Sequence, residues 1–248
     1  MHMDLERVSH ARNLEVLDYT DGVQDFLERG RALLLGYRRN YLDGDLPAFR
    51  TVSFPSVKTF YFSGDNTETY YHILNTFDMP AVINLGLKAP YVDDTAIRHE
   101  FMCPLTPSDA FHWISKQHTS NLQILFLGHF WMGGGDQSHL KEAIHLRKIV
   151  LFRCWLQPDF FSKLKLYNIP ALERIVTYSC KLSFDDLKAY IEESSGNVTI
   201  TIRFANVPTK AQFAENIRLA TLSATYPNLI VEYSHLVNSR VTTWMICD

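Results

Sequence analysis

Histidines and cysteines are the residues of this sequence that could do chemistry most readily, as metal ligands, bases or nucleophiles. His129, His139 and His145 lie close together, but no two of them have the i, i+4 spacing of a metal pair on a helix. The pair His99-Glu100 begins like a zinc protease motif, yet Cys103 stands where the second histidine belongs. We therefore predict surface or turn roles for these histidines and no metal site.

Glycines and the remaining cysteines offer no stronger chemical motif. Gly128 and the run 133–135 have a spacing similar to a phosphate-binding loop, but the Lys and Ser/Thr that follow in such loops are missing. Cys154 and Cys180 could be nucleophiles, although their repeated sequence context predicts buried structural positions. We find no Gly-x-Ser-x-Gly, Gly-x-Gly-x-x-Gly or Cys-x-x-Cys. We predict no enzymatic activity and no cofactor, and an enzyme is the less favoured alternative.

The composition excludes several other classes. Among 248 residues, 24 are basic and 27 acidic, so the net charge of −3 gives no basic excess for nucleic acid binding. No apolar run reaches the roughly 18 residues of a membrane-spanning helix. The opening residues 1–6 include two acidic residues and no apolar segment, so we expect no signal peptide. The four cysteines show no paired spacing, which favours a reducing cytoplasmic or nuclear location.

The elements that would position any site come from an internal repeat. Pairs of core-type residues two positions apart recur within alternating runs that predict β-strands. The pairs are Phe60/Phe62, Leu85/Leu87, Leu125/Leu127, Ile149/Leu151, Ile175/Thr177, Ile200/Ile202 and Val231/Tyr233. Their first members are separated by 25, 40, 24, 26, 25 and 31 residues, mostly inside the range of about 20–29 residues of leucine-rich repeats. The long interval predicts an additional strand near 99–103.

Flanking signals repeat with the strands. Proline-containing lead-ins precede four of them, at 54–57, 79–82, 169–172 and 226–229. Thr106, Ser183 and Thr209 resemble helix N-caps, and apolar residues at helical spacing follow, such as Leu187/Tyr190/Ile191 and Phe213/Ile217/Ala220. The sequence therefore predicts an α/β fold with parallel strands, built either as a repeat solenoid or as a doubly wound domain.

The turn after each strand carries the most specific pattern. Three consecutive segments, beginning at Leu122, Leu146 and Leu172, approximate L-x-x-L-x-L-x-x-C-x-L, with Phe130 at the cysteine position of the first and Cys154 and Cys180 at that of the second and third. Residues 54–238 resemble the leucine-rich-repeat superfamily, and the turn cysteine is similar to the irregular class found in F-box substrate receptors of ubiquitin ligases. This resemblance implies a curved parallel sheet with helices on its outer face. We find no F-box, and the usual turn asparagine is missing.

The resemblance also suggests how the chain is divided. We predict a single solenoid domain over 1–248, with an N-terminal cap or degenerate repeat over 1–50, repeats over 54–238 and a C-terminal cap over 239–248. Residues 13–17 are a possible strand. Leu33 and Leu35 lie 27 residues before Phe60 and Phe62, so a further repeat could begin there.

Proteins of this architecture usually bind through the strand face opposite the helices. Residues that alternate with the core pairs would lie there, and in the central repeats they are apolar or aromatic with a basic border. The predicted binding residues are Phe126, Val150, Phe152, Val176, Tyr178, Lys148, Arg174 and Arg203, with Trp131 and Trp155 as a pair along one edge. Coverage by another part of this chain is the alternative, because strands buried on both faces also carry apolar residues at these positions.

These patterns predict a non-catalytic protein–protein interaction module. The expected partner is a protein or peptide with hydrophobic and acidic residues, since aromatic side chains beside arginines are typical of binding hot spots. The module could be the substrate-recognition or adaptor part of a larger complex such as a ubiquitin ligase. A constitutive structural subunit of a multiprotein assembly is the alternative. We predict neither nucleic acid nor membrane binding.

Overall fold

The structure is a computed structural model, and it describes residues 16–19, 52–63, 77–89, 121–132, 138–194, 196–204 and 213–233. Within these ranges the fold is α/β with parallel strands, which confirms the predicted class. The predicted C-terminal cap over 239–248 lies outside the described residues, as does most of the predicted N-terminal cap.

Short strands alternate with helices along the described chain. The strands are β1 (Val16–Tyr19), β2 (Val52–Ser53), β3 (Thr59–Ser63), β4 (Phe77–Asp78), β5 (Asn84–Lys88), β6 (Ile124–Gly128), β7 (Trp131–Met132), β8 (Lys148–Phe152), β9 (Trp155–Leu156), β10 (Arg174–Tyr178), β11 (Thr199–Phe204) and β12 (Leu229–Tyr233). The helices are a 3-10 helix (Ser138–Glu142), α1 (Phe160–Tyr167), α2 (Phe184–Glu193) and α3 (Phe213–Thr225).

Eight of these strands form one parallel sheet in the order β1-β3-β5-β6-β8-β10-β11-β12. Within this sheet each strand pairs with the strand that follows it in the chain, so the order along the sheet is the order along the sequence. The core pairs are in register across the sheet: Leu85 pairs with Phe60 and Leu125, and Ile149 pairs with Leu125 and Ile175. The predicted two-residue periodicity therefore locates the strands correctly from β3 to β11.

Three predictions about the strands need correction. Because β5 pairs directly with β6, no additional strand separates them, and residues 99–103 lie outside the described residues. Beside Phe60 and Phe62 the sheet has Leu17 and Tyr19 of β1; Leu33 and Leu35 are not among the described residues. In β12 the residues in register with Ile200 and Ile202 are Leu229 and Val231, so the predicted pair was displaced by two residues along the same strand face.

The proline lead-ins close tight turns just before the strands. Val57 N donates to Phe54 O at 3.2 Å, Val82 N to Met79 O at 3.2 Å and Leu172 N to Ile169 O at 3.2 Å. Proline suits the second position of such a turn because its ring fixes φ near −65°. The apolar residues at both ends of these three turns are buried, so each turn anchors the start of its strand in the core.

The α-helices α1, α2 and α3 all contribute buried side chains to one side of the sheet. Phe160, Phe161 and Leu164 of α1 join the same apolar cluster as the strand pairs, and so do residues of α2 and α3. We call this cluster the helix-side core. A second, smaller cluster contains only strand residues within the described ranges, and it lies on the opposite face of the sheet. We call that opposite face the second face.

Two helix predictions have different outcomes. Helix α2 begins as predicted, since Ser183 Oγ accepts from Asp186 N at 3.4 Å, and its predicted apolar residues Leu187, Tyr190 and Ile191 are buried. Helix α3 buries Asn216, Leu219 and Leu222 instead of the predicted Ile217 and Ala220, which are exposed. The helix is rotated because its packing face is set by contacts with β12 and α2. The proposed caps at 106–109 and 209–212 lie outside the described residues.

Candidate functional site

The second face carries the predicted binding residues in three columns across neighbouring strands. The middle column contains Tyr61, Gly86, Phe126, Val150, Val176, Thr201 and Ile230 in register. The column at the carboxyl ends contains Ser63, Lys88, Gly128, Phe152, Tyr178, Arg203 and Glu232, and the column at the amino ends includes Lys148 and Arg174. The structure thus brings the predicted strand residues together on one face.

The depth of these residues differs between the columns. Phe126, Val150 and Val176 are 0%, 1% and 2% exposed, so the middle column is buried and not an open patch. Phe152, Tyr178, Lys148, Arg174 and Arg203 are half-buried. The accessible part of the predicted site therefore consists of its two borders, which are aromatic and basic.

Aromatic rings connect the middle column to the carboxyl-end column. The ring centroids of Tyr61 and Phe126 are 5.9 Å apart, those of Phe126 and Phe152 are 6.5 Å apart, and those of Phe152 and Tyr178 are 6.5 Å apart. These distances fall within the range of favourable aromatic pairs. The half-buried rings of Phe152 and Tyr178 are consequently connected through ring contacts to the buried ring of Phe126.

Basic side chains dominate the charge of the second face. Between β5 and β11 its three columns carry Lys88, Lys148, Arg174 and Arg203 but no acidic residue. Arg203 donates to Tyr178 Oη and to Glu232 of β12, and its Cζ lies 5.2 Å from the Tyr178 ring centroid. These contacts raise the pKa of Arg203 despite its burial, so its charge is held in place over the ring.

Arg174 differs from Arg203 in its partners. Its Nε is buried and has no hydrogen-bond partner within the described part of the chain. Thr201 Oγ1, in the middle column, is also buried and has no hydrogen-bond partner within that part. Buried donors left unsatisfied cost about 1–3 kcal/mol each, so an acceptor from a bound ligand would be favoured here.

The residues that follow the strands have an unusual backbone. His129, Arg153 and Ser179 have φ values of 61°, 48° and 49°, in the left-handed region that non-glycine residues seldom adopt. They occupy equivalent positions, and the amide of each donates to the carbonyl of the next strand, as from His129 N to Phe152 O at 2.9 Å. Such strain is often found at binding sites. None of the three positions is glycine, so the sequence carries no local signal for this backbone conformation.

His129 lies inside a basic environment. Its Nδ1–H donates to Ala89 O at 3.1 Å, and its ring centroid is 5.5 Å from that of Phe152. Burial, reinforced by the positive charges of Lys88 and Arg153, lowers its pKa to about 4 even though the Ala89 bond opposes the shift. His129 is therefore neutral at physiological pH. Burial and the charge of Arg153 also lower the pKa of Lys88.

The two turn cysteines have a structural role. Cys154 Sγ donates to Leu127 O at 3.2 Å, and Cys180 Sγ donates to Leu151 O at 3.3 Å while accepting from Cys154 N at 3.3 Å. Both thiols are free, and burial raises the pKa of Cys180 well above its usual value. A buried thiol that stays protonated is a poor nucleophile. Cys180 is less completely buried than expected, since it is only half-buried as a residue.

The tryptophan positions are adjacent, as their sequence equivalence predicts. Trp131 of β7 pairs in register with Trp155 of β9, and Trp155 forms a bridge with Lys181. Trp155 is 40% exposed, and Lys181 Nζ lies 4.3 Å from its ring centroid, within cation–π distance. Trp155 is thus an accessible aromatic residue beyond the carboxyl-end border of the second face.

The described residues contain no group of three or more His, Cys, Asp or Glu side chains that could hold a metal ion. Nor does any helix in these ranges have the length and apolar character needed to cross a membrane. Searches against protein-family models, curated proteins and solved structures found no match to this chain.

Proposed function

We propose that this chain is a leucine-rich-repeat-type solenoid that acts as a non-catalytic protein–protein interaction module. The strand order supports the solenoid form, because a doubly wound sheet reverses its order at a switch point whereas this sheet follows the chain from β1 to β12. The thiol–carbonyl bonds at Cys154 and Cys180 support the cysteine-containing repeat class.

The partner we propose is a peptide or protein segment with hydrophobic and acidic residues. One observation carries this proposal: the second face combines half-buried aromatic rings with four basic side chains and no acidic residue between β5 and β11. Arg174 Nε, whose buried donor lacks an acceptor in the described ranges, would be satisfied by a carboxylate or carbonyl of that segment. Phe152 and Tyr178 would supply its apolar contacts.

A peptide-display selection against the full chain tests this proposal. We expect enrichment of sequences that place acidic residues next to Phe, Leu or Tyr. The enriched peptides should lose at least tenfold in affinity for a Phe152→Ala/Tyr178→Ala variant and for Arg174→Gln. A matched control, Leu166→Ala/Lys165→Gln, changes exposed residues of α1 on the helix side and should bind normally. Equal affinity of all variants that retain the native circular dichroism spectrum would overturn the proposal.

Two narrower roles follow from the same binding face, and we propose an intracellular, cytoplasmic or nuclear setting for both. A substrate receptor or adaptor of a ubiquitin ligase should co-purify with a cullin from cells. Absence of a cullin from the purified native complex would count against that role. A constitutive structural subunit of a multiprotein assembly is the alternative role. Such a subunit should need a co-expressed partner to be soluble, whereas a transient receptor should be a soluble monomer.

A further inference from the structure

His129 and Arg153 lie beside the ring of Phe152, and the charge of Lys88 acts on both of them. Gly128 separates Lys88 from Phe152 in the register of β5, β6 and β8. Because Gly128 has no side chain, the stem of Lys88 lies directly over it: a Cβ at Gly128 would be 3.0 Å from Lys88 Cγ. The His129 ring and the Arg153 guanidinium lie 5.5 Å and 5.4 Å from the Phe152 ring centroid.

This convergence brings like charges together with no compensating acid among the described residues. No carboxylate of the described residues forms an ion pair with Lys88 or Arg153, although Lys165, Arg147 and Arg218 elsewhere in the chain all have acidic partners. His129 and Arg153 are also held in the strained left-handed conformation. Two cations that have no ion pair within the described ranges, beside a histidine and an aromatic ring, form an arrangement that an anion would stabilise.

We propose that Lys88, His129 and Arg153 form an oxyanion site that takes the carboxylate of an acidic residue in a segment docked on the second face. This inference rests on the proposed function and specifies where its acidic residue binds. Arg153 would offer a forked pair of donors and Lys88 an ammonium, while Phe152 would contact the apolar neighbour of the acid. A carboxylate fits better than a phosphate dianion, because bringing the dianion beside the half-buried Phe152 would remove more hydration.

Occupation of this site should be coupled to proton uptake by His129. Its Nδ1–H is already bonded to Ala89 O, so a second proton would go to Nε2 and make the ring cationic. Among the described residues, the charged groups that act on it are Lys88 from β5 and Arg153 from the turn after β8, and both oppose protonation. A bound carboxylate would offset their charges, so its affinity should rise as the pH falls from about 7 towards 5.

The test is the His129 pKa, followed by NMR on the ¹³C-histidine-labelled full chain, with the signal assigned by its loss in His129→Asn. Three probes are compared: N-acetyl-Phe-Glu-amide, its Phe-Gln analogue and its Phe-phosphoserine analogue. We expect the Glu probe to raise the His129 pKa by about one unit and the Gln probe to leave it unchanged. The Lys88→Met/Arg153→Gln variant should abolish this response, whereas Lys165→Met/Arg218→Gln, with the same loss of charge on the helix side, should retain it.

The outcomes separate this inference from the docking proposal. Equal effects of the Glu and Gln probes, or an undiminished response of the folded Lys88→Met/Arg153→Gln variant, would overturn the oxyanion site. A response to the phosphoserine probe alone would overturn the assignment to a carboxylate. If the probes shift the ring signals of Phe152 and Tyr178 while the His129 pKa stays constant, the docking face stands and the oxyanion site fails. If the Glu probe raises the His129 pKa but the display experiment selects no peptide, the oxyanion site stands and the docking proposal fails.

Discussion

Asp186 Oδ2 accepts a 2.7 Å hydrogen bond from the backbone amide of Phe161, so a carboxylate from the first turn of α2 caps the first turn of α1. Its Oδ1 accepts from the amide and hydroxyl of Ser162. Asp159, the residue at the N-cap of α1, makes no side-chain capping bond. The start of α1 therefore depends on α2, which couples the two helices to each other.

Replacing Asp186 with Asn should lower the free energy of unfolding by about 1–3 kcal/mol, because one oxygen acceptor becomes an amide donor that faces backbone N–H groups. The matched control is Asp185→Asn, which removes only the exposed ion pair with Arg218 and should cost less than about 1 kcal/mol. Urea unfolding followed by circular dichroism measures both. Equal losses in the two variants would show that the buried cap contributes nothing specific.

The pH dependence of stability should contain a contribution from His129. Its pKa is about 4 in the folded chain, below the value near 6.5 of an unfolded histidine. Folding thus favours the neutral ring: this stabilisation is complete above about pH 6.5 and is lost as the pH falls towards 4. Because the side chain is only partly buried, we expect a loss of about 1–2 kcal/mol and not the full value of the shift.

The measurement compares wild type with His129→Asn in urea unfolding at pH 7 and pH 4.5. Asparagine tolerates the left-handed backbone of this position and does not titrate in this range. On acidification the free energy of unfolding should fall more in the wild type than in the variant. Carboxylates contribute equally to both proteins, so the difference between them isolates His129. Parallel losses would mean that His129 titrates normally in the fold.

Much of the sheet could be predicted from alternation alone. Phe60/Phe62 and Ile200/Ile202 lie on the helix side as expected, since apolar residues two positions apart share one face of a strand. The same rule places Phe126 and Phe152 on the second face. The alternation rule does not predict how far a side chain is buried, so it could not show that Phe126, expected to be exposed, is buried.

Other features could not be predicted from local patterns because they depend on contacts between residues far apart in the sequence. The cap from Asp186 to α1 joins residues about 25 positions apart, and the convergence of Lys88 with His129 joins residues 41 positions apart. Nor is the left-handed backbone at Arg153 signalled by glycine. The displaced pair in β12 has a simpler origin: a shift of two residues preserves the alternation, so periodicity alone could not choose between Leu229 and Tyr233.

Cys180 should be inert to alkylation in the folded chain. Burial raises its pKa well above the usual value, and its Sγ donates to Leu151 O, so the thiolate is scarcely formed at pH 8. We expect iodoacetamide to modify it at least about 100-fold more slowly than in 8 M urea, at a rate set by local or global unfolding. Peptide-level mass spectrometry measures the two rates. Comparable rates with and without urea would place Cys180 in an accessible, reactive position.

Gly128 should be intolerant of a side chain because the stem of Lys88 occupies the space above it. A Cβ there would lie 3.0 Å from Lys88 Cγ and 3.3 Å from Phe126 Cε1, so one of these side chains must move. We expect Gly128→Ala to destabilise the chain by about 1–3 kcal/mol, as overpacking in well-packed interiors does. The Lys88 contact is the closer of the two, which predicts that shortening Lys88 relieves part of this cost.

A double-mutant cycle with Lys88→Ala isolates that contact. In the Lys88→Ala background, Gly128→Ala should cost about 1 kcal/mol less than in wild type, since the alanine at 88 has no Cγ. The residual cost would come from Phe126 Cε1 and the Cβ at position 88, each 3.3 Å from the added Cβ. If the losses in the free energy of unfolding of the two single variants simply add in the double variant, Lys88 does not lie over Gly128. The position of Lys88 near His129 would then be contradicted as well.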